Sequence, residues 1–239
     1  MHHKLVIVLL DLVNTLRDFK NDSELYADLI FDAEKSITIV VELTDTGQTA
    51  TLILEKETGV SSIEKGGKKG DLKVTMTTQT LHDIAEGEAD AFALAGRSSM
   101  DEKRPIDFEF LNPARSAEAM EAIKGLATYF FVPGRLKNKE LRVEQAGQAH
   151  GARPIPLVYW NALRTAWYHV DTGTVLNEER EIDPWPQAFI VLDGKGKIVI
   201  DDETIEMEKN RIYYVPRSVV HQIEARTDVQ LIWLAWDAK

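Results

Sequence analysis

Ala188-Phe-Ile-Val-Leu-Asp-Gly-Lys-Gly-Lys-Ile-Val-Ile200 consists of two short apolar runs broken at Asp193-Gly194. Each run is too short for a helix and rich in β-branched residues. Asp-Gly closes tight hairpins, so the stretch predicts two antiparallel strands joined by a turn. The same rhythm continues on both sides. Strands are expected over 166–170, 173–176, 188–192, 197–200, 204–207, 211–215, 219–224 and 229–236, with Asp201-Asp202 as a further turn signal. Short, closely spaced strands of this kind predict an all-β sandwich or barrel.

Upstream of this region the composition changes. All five tryptophans (Trp160, Trp167, Trp185, Trp233, Trp236) lie in the last third of the chain. Residues 132–156 are rich in proline and glycine and carry a charged run over 135–142, which marks a linker or irregular connection. The expected organisation is therefore an N-terminal domain over 1–131, a connection over 132–156 and a C-terminal domain over 157–239.

The N-terminal part reads as strand, strand, strand, helix, strand, helix. Strands are expected over 36–43 and 49–55, joined across Asp45-Thr46-Gly47, and over 72–76, where Leu72, Val74 and Met76 alternate with polar residues. Thr80 stands three residues before Asp83, a capping-box spacing that starts a helix at Leu81. Asn112-Pro113 is a second start signal, and its helix places Met120, Ile123, Ala127 and Phe130 on one face. Strands covered by helices make an α+β layer.

Composition excludes several function classes. The chain has 239 residues and no cysteine, which removes disulfides, thiolate metal sites and cysteine nucleophiles. Net charge is −11, of which residues 1–130 carry −9, so nucleic acid is not an expected partner. The apolar run Leu5 to Leu10 is too short to span a bilayer and is read as a buried first helix. A cytoplasmic protein without membrane insertion is the expectation. Gly66-Gly67-Lys68-Lys69-Gly70 matches no phosphate-binding fingerprint and is read as a hairpin loop.

Two family resemblances refine this reading. Residues 31–131, and most clearly Leu72-Lys-Val-Thr-Met-Thr-Thr-Gln-Thr-Leu-His-Asp-Ile-Ala-Glu-Gly87 with Gly96 beyond it, resemble the sterol carrier protein family. That resemblance implies an apolar cavity for a lipid or another hydrophobic small molecule, lined by Phe92, Met120, Ile123 and Phe130. Core filling is the competing account of those four side chains. The chain departs from the family over 97–104, which is polar and charged.

Residues 168–236 resemble the cupins, small double-stranded β-helix (jelly-roll) barrels. Their first motif reads His-x-His, then Glu, then Gly; counting back from Gly194, this chain has Glu181, Asp183 and Gln187 at those places. Their second motif is represented by Asn210, Pro216, Ser218 and His221, so the proline and histidine persist while both glycines do not. The resemblance implies a site of Glu181, Asp183, Gln187 and His221, with His169 as a further imidazole. Such a set has lost its metal or holds a divalent ion (Mn, Zn, Ni or Fe) in remodelled form. Trp167, Trp185, Tyr213 and Tyr214 are candidate pocket walls. Cupins pair through outer sheets, which implies a homodimer through this domain, with Trp233 or Trp236 at the interface. No nucleophile–base pair is legible, and Ser218 with His221 makes no triad. The leading expectation is a non-catalytic binding protein: an apolar ligand in the N-terminal domain, and a cupin module for dimerisation or small-ligand sensing. The alternative is a metal-dependent isomerase or decarboxylase built around His221.

Overall fold

The computed structural model describes residues 10–97 and 101–237, so most of the expected first helix lies outside the described residues. The chain forms two compact units. One comprises residues up to 91 together with 105–138; the other comprises 92–104 and 139–239. These limits differ from the expected ones at 131 and 156. Residues 92–104 join the C-terminal unit, and so does most of the expected connection.

In the N-terminal unit, α1 (Leu12–Ser23) and the short α2 (Ala27–Ile30) precede β1 (Ile37–Leu43), β2 (Thr49–Glu55), β3 (Gly59–Lys65) and β4 (Leu72–Met76). Then come α3 (Thr78–Ala85), α4 (Ala91–Ala95, whose residues from 92 onward belong to the other unit), β5 (Asp107–Phe110) and α5 (Ser116–Gly125). The five strands form one sheet in the order β3-β2-β1-β4-β5, with β1 and β4 parallel and every other pair antiparallel. Register places Leu72, Val74 and Met76 beside Ile39, Val41 and Leu43, and all six are buried. This apolar face is the one the strand alternation calls for. Leu12, Leu16, Phe19 and Ser23 are the buried stripe of α1, whose first turn is capped by the Asp11 carboxylate accepting from Asn14 N–H.

The glycine-rich segment 66–70 is not a hairpin loop. It leads from the edge strand β3 to β4, which lies on the far side of β1, so it must cross the sheet. It does so closely: a Cβ on Gly67 would stand 3.3 Å from Val40 Cγ1, and one on Gly70 would stand 3.0 Å from the Thr38 carbonyl. The buried Thr51 hydroxyl anchors the crossing, donating to the Gly66 carbonyl and accepting from Lys68 N–H.

Both helix starts differ from expectation. Thr77 caps α3, accepting from Thr80 N–H, and the Asp45 carboxylate accepts from Thr78 N–H, so the helix opens three residues earlier. Asn112 caps nothing with its side chain. Its amide donates to Asp71, whose other oxygen receives Thr38 N–H and the Arg115 guanidinium. Pro113–Arg115 is a 3₁₀ turn, and the α-helix begins at Ser116. After Gly125 the helix widens into a π turn over Leu126–Phe130, closed by Phe131 N–H donating to the Leu126 carbonyl. That wider turn sends both Phe130 and Phe131 inward, where they meet Phe19. Gly125 has ordinary helical φ but no room: a Cβ there would lie 1.9 Å from the Ile30 carbonyl oxygen.

The C-terminal unit is built from β6 (Arg153–Trp160), β7 (Leu163–Val170), β8 (Val175–Leu176), β9 (Gln187–Asp193), β10 (Gly196–Ile200), β11 (Glu203–Met207), β12 (Ile212–Val215), β13 (His221–Ala225) and β14 (Val229–Trp236). They form two sheets, β11-β10-β13-β8 and β12-β9-β14-β7-β6, around a shared apolar core that includes Val170, Phe189, Val191, Ile198, Ile223 and Leu231. This fits a jelly-roll barrel. Gly194, at φ +95°, makes the expected turn, where a Cβ would approach the Asp228 carbonyl to 2.2 Å.

The strands that sequence reading lacked are β3 in the N-terminal unit and β6 here. Pro154 and Pro156 argue against a central strand, and β6 is an edge strand, where proline costs no ladder bond. The Pro154 carbonyl accepts from Gly147 N–H and the Pro156 carbonyl from Lys139 Nζ. Among the described residues, no helix is long and apolar enough to cross a membrane.

Candidate functional site: a donor-lined cleft in the C-terminal barrel

Period-two alternation decides which side chains of β7 face inward. Arg164 and Tyr168, four residues apart, share one face; Trp167 and His169 take the other. On β9, Gln187 and Phe189 share a face, and Trp233 of β14 stands beside Phe189 in register. Arg164, Tyr168, Gln187, Phe189 and Trp233 line a cleft of about 350 Å³, joined by Arg97, His150, Tyr159 of β6, His221 at the start of β13 and the loop 176–184.

The loop is held by Asn177, a buried residue in left-handed conformation (φ +62°). Its amide nitrogen donates to the carbonyls of Glu181 and His221, and its oxygen accepts from Glu181 N–H. A single side chain thus ties the loop to itself and to β13. Asp183 caps the next turn by accepting from Trp185 N–H, while its own carbonyl receives Ser218 N–H. Glu181 is exposed and pairs with His150 Nδ1 at 3.2 Å.

The interior is polar in an uneven way. Gln187 Oε1 accepts from the Trp233 indole N–H at 2.7 Å, a buried and fully formed bond. His221 is buried against the Phe189 ring, and its Nδ1 has no hydrogen-bond partner. Burial holds the His221 imidazole below its ordinary pKa and the charge of His150 adds to this; the Val219 backbone and Asp183 oppose the shift. Burial also pushes the Tyr168 phenol far above the usual tyrosine range, and Tyr159 upward in the same direction, with Arg164 opposing the latter and Asp183 adding to it. Both phenols are therefore neutral O–H donors at any ordinary pH. The Arg164 guanidinium lies 4.2 Å from the centre of the Trp185 ring, a cation–π arrangement.

Four of the five residues expected as a metal set line this cleft: Glu181, Asp183, Gln187 and His221. His169 does not. It faces the other side of β7, with Nε2 3.3 Å from Asp171 and its ring beside Trp167. Three of the four are engaged within the protein: the Gln187 oxygen is taken by Trp233, Glu181 is turned to His150, and Asp183 accepts from Trp185 N–H, whereas His221 Nδ1 has no partner. Among the described residues, no three His, Asp or Glu side chains gather as metal ligands.

Of the expected pocket walls, Trp185 supports the cleft from beneath Arg164. Trp167 is buried on the opposite face of β7. Tyr213 is a core residue whose hydroxyl donates to the Glu206 carbonyl and accepts from Glu208 N–H. Tyr214 is 64% exposed. Trp233, expected at an outer interface, lines the cleft instead. Phe92 belongs to this unit and stacks 5.1 Å from Tyr159. Met120 is half-buried at the flank of α5, whereas Ile123 and Phe130 are buried. The polar residues of the lining that sequence reading missed are Arg97, His150, Tyr159, Arg164, Tyr168 and Asn177. The i, i+4 pair on β7 was the available signal for Arg164 and Tyr168.

Comparison with known proteins adds the family. Residues 166–237 match the family model of the cupin domain. No curated protein matches the chain. Similar solved structures include a protein from Photorhabdus luminescens, 19% identical over 43% of this chain and 88% of that one, at a TM-score of 0.38. A cupin 2 conserved barrel domain protein from Salinispora arenicola is 19% identical over 43% and 90%, also at 0.38. A conserved Streptococcus pyogenes protein of unknown function is 20% identical over 44% and 91%, at 0.36. The match to the family model and the two-sheet barrel agree: residues 166–237 of this chain are a cupin domain.

Proposed function

We propose that the cupin domain is a non-catalytic binding module that takes a small organic molecule into its cleft without a metal ion. The observation that carries this reading is the state of His221 and Gln187. At the two places where the family's ligands would stand, one side chain is spent on an indole N–H and the other keeps an unpartnered buried nitrogen. A concave site with apolar walls (Leu176, Phe189, Trp233) and a few converging polar groups is the usual form of a small-molecule site.

Elemental analysis of the purified chain after incubation with Mn²⁺ and Zn²⁺ tests this. The expected result is far less than one ion per chain, and no change in His221→Ala. A stoichiometric ion that disappears in His221→Ala overturns the reading in favour of a metal-dependent isomerase or decarboxylase.

For the N-terminal unit, a lipid-like guest is the companion proposal. A sheet packed on its apolar face by helices supports it, together with the resemblance to sterol carrier proteins. A guest must displace the packed rings of Phe19, Phe130 and Phe131. Solvent extraction followed by mass spectrometry decides: a co-purified lipid is expected, and its absence even after incubation with palmitate overturns this part alone. Homodimerisation through the cupin domain is checked by the native mass of the same sample; a strictly monomeric species removes it.

A further inference from the structure

The donors in the cleft outnumber the acceptors available to them. Among the described residues, Arg164 forms no ion pair or hydrogen bond, and its one contact of note is the Trp185 ring face. Among the described residues, neither the Tyr159 nor the Tyr168 hydroxyl has a hydrogen-bond partner. Both carboxylates of the lining are already engaged: Asp183 accepts from Trp185 N–H, and Glu181 pairs with His150. The Arg164 guanidinium sits over the Trp185 ring, and its forked N–H groups match a carboxylate in geometry and charge. His221, buried with Nδ1 unpartnered, is the independent sign that something is to be met in this cleft. Leu176, Phe189 and Trp233 complete the wall with apolar surface.

Building on the binding-module reading above, we infer that the ligand is a small monocarboxylate with an apolar body, its carboxylate seated on Arg164 and the phenols of Tyr159 and Tyr168. Charge sets the number of carboxylates. Asp183 and Glu181 stand on the same cleft, so a second anionic group beside them meets like charge, and the other guanidinium of the lining, Arg97, already donates to the Ala95 carbonyl. The free apolar face of such a ligand lies against Phe189 and Trp233, which favours an aromatic or branched aliphatic body over an extended polar one.

The Trp233 indole N–H reports on this directly, because it is bonded to Gln187 inside the cleft. Its proton–nitrogen resonance, assigned by its loss in Trp233→Phe, is followed in the full chain during titration with benzoate, isovalerate, benzamide and phthalate. Benzoate and isovalerate are expected to shift it, with benzamide and phthalate weaker by about tenfold or more. Arg164→Gln is expected to weaken benzoate by the same order and to leave benzamide unchanged. Tyr168→Phe, which deletes only an unpartnered hydroxyl, is the second variant and is expected to weaken benzoate several-fold without loss of fold. Equal binding of benzoate and benzamide, or binding of benzoate unaffected by Arg164→Gln in a folded variant, overturns the carboxylate assignment and leaves the binding module standing. No shift with any of the four at tens of millimolar overturns the assignment as well; a bound metal ion in the elemental analysis is the separate result that removes the binding module.

Discussion

Phe130 in the N-terminal unit and Tyr168 in the C-terminal unit are both large rings turned away from solvent, and they end in opposite circumstances. Phe130 is fully buried and packed within ring contact of Phe19 and Phe131, with every neighbour accounted for. Tyr168 is half-buried, packs edge-on to Trp233 at 6.3 Å, and lines a cleft that also holds the guanidiniums of Arg97 and Arg164 and the buried, unpartnered Nδ1 of His221. Burial alone does not separate a core residue from a site residue. The separation comes from polar atoms that have left water and found nothing in exchange, a cost that stable interiors avoid.

Stability measurements can break or sharpen this contrast. The largest effect is expected for Phe130→Ala: about 3–5 kcal/mol lost in urea unfolding followed by far-ultraviolet circular dichroism. A loss below about 1 kcal/mol would mean that the ring fills no core, and would favour an N-terminal cavity after all. Gly125→Ala comes next, at about 2–3 kcal/mol, because its methyl group meets the Ile30 carbonyl. In the cleft, Gln187→Leu is expected to cost about 1–2 kcal/mol by stranding the Trp233 indole N–H, measured by tryptophan emission in the same titration.

The next effect is a pH dependence. Burial lowers the His221 pKa in the folded chain, so the unfolded chain binds a proton more readily. The contribution is fully present above the unfolded pKa of about 6.5 and is lost as pH falls from there toward the lower folded value. Melting temperature measured from pH 8 to pH 5 should therefore fall more steeply for the natural chain than for His221→Leu; parallel curves would mean that the imidazole is not held neutral. Smallest of all is Tyr168→Phe, expected within about 0.5 kcal/mol, since the hydroxyl it removes has no bond to lose.

The legible parts of the molecule were those where one local rule acted alone. The ends of β2 and β14 coincide with the expected 49–55 and 229–236 because alternation and turn residues point the same way there. The hairpin at Gly194 follows from the dipeptide. What stayed hidden depended on long-range placement. Pro154 and Pro156 signal a break in sequence, and only the position of β6 at the sheet edge makes them compatible with a strand. Gly66 to Gly70 resemble a turn, whereas strand order makes them a crossing. In the cleft, the family motif indicated Gln187 and His221, but nothing local told that Trp233 would take the Gln187 oxygen. His150 sat in what read as a linker. Aromatic residues were the least reliable guide: none of Trp167, Trp185, Tyr213 and Tyr214 lines the cleft itself, and Trp185 meets it through Arg164.

The prolines of β6 have one further consequence, for how this barrel can associate. A residue whose carbonyl points outward from an edge strand also points its amide outward, and at 154 and 156 there is no amide hydrogen to offer. The two carbonyls on that side are already claimed by Gly147 N–H and by the Lys139 ammonium. An incoming strand would find neither donor nor acceptor along this stretch, so the border is sealed against templated growth. The opposite border of the same five-stranded sheet is β12, which ends the strand order and carries the exposed side chains of Ile212 and Tyr214. The two borders of the sheet therefore differ: at 154 and 156 β6 offers a strand neither donor nor acceptor, whereas β12 presents exposed apolar side chains.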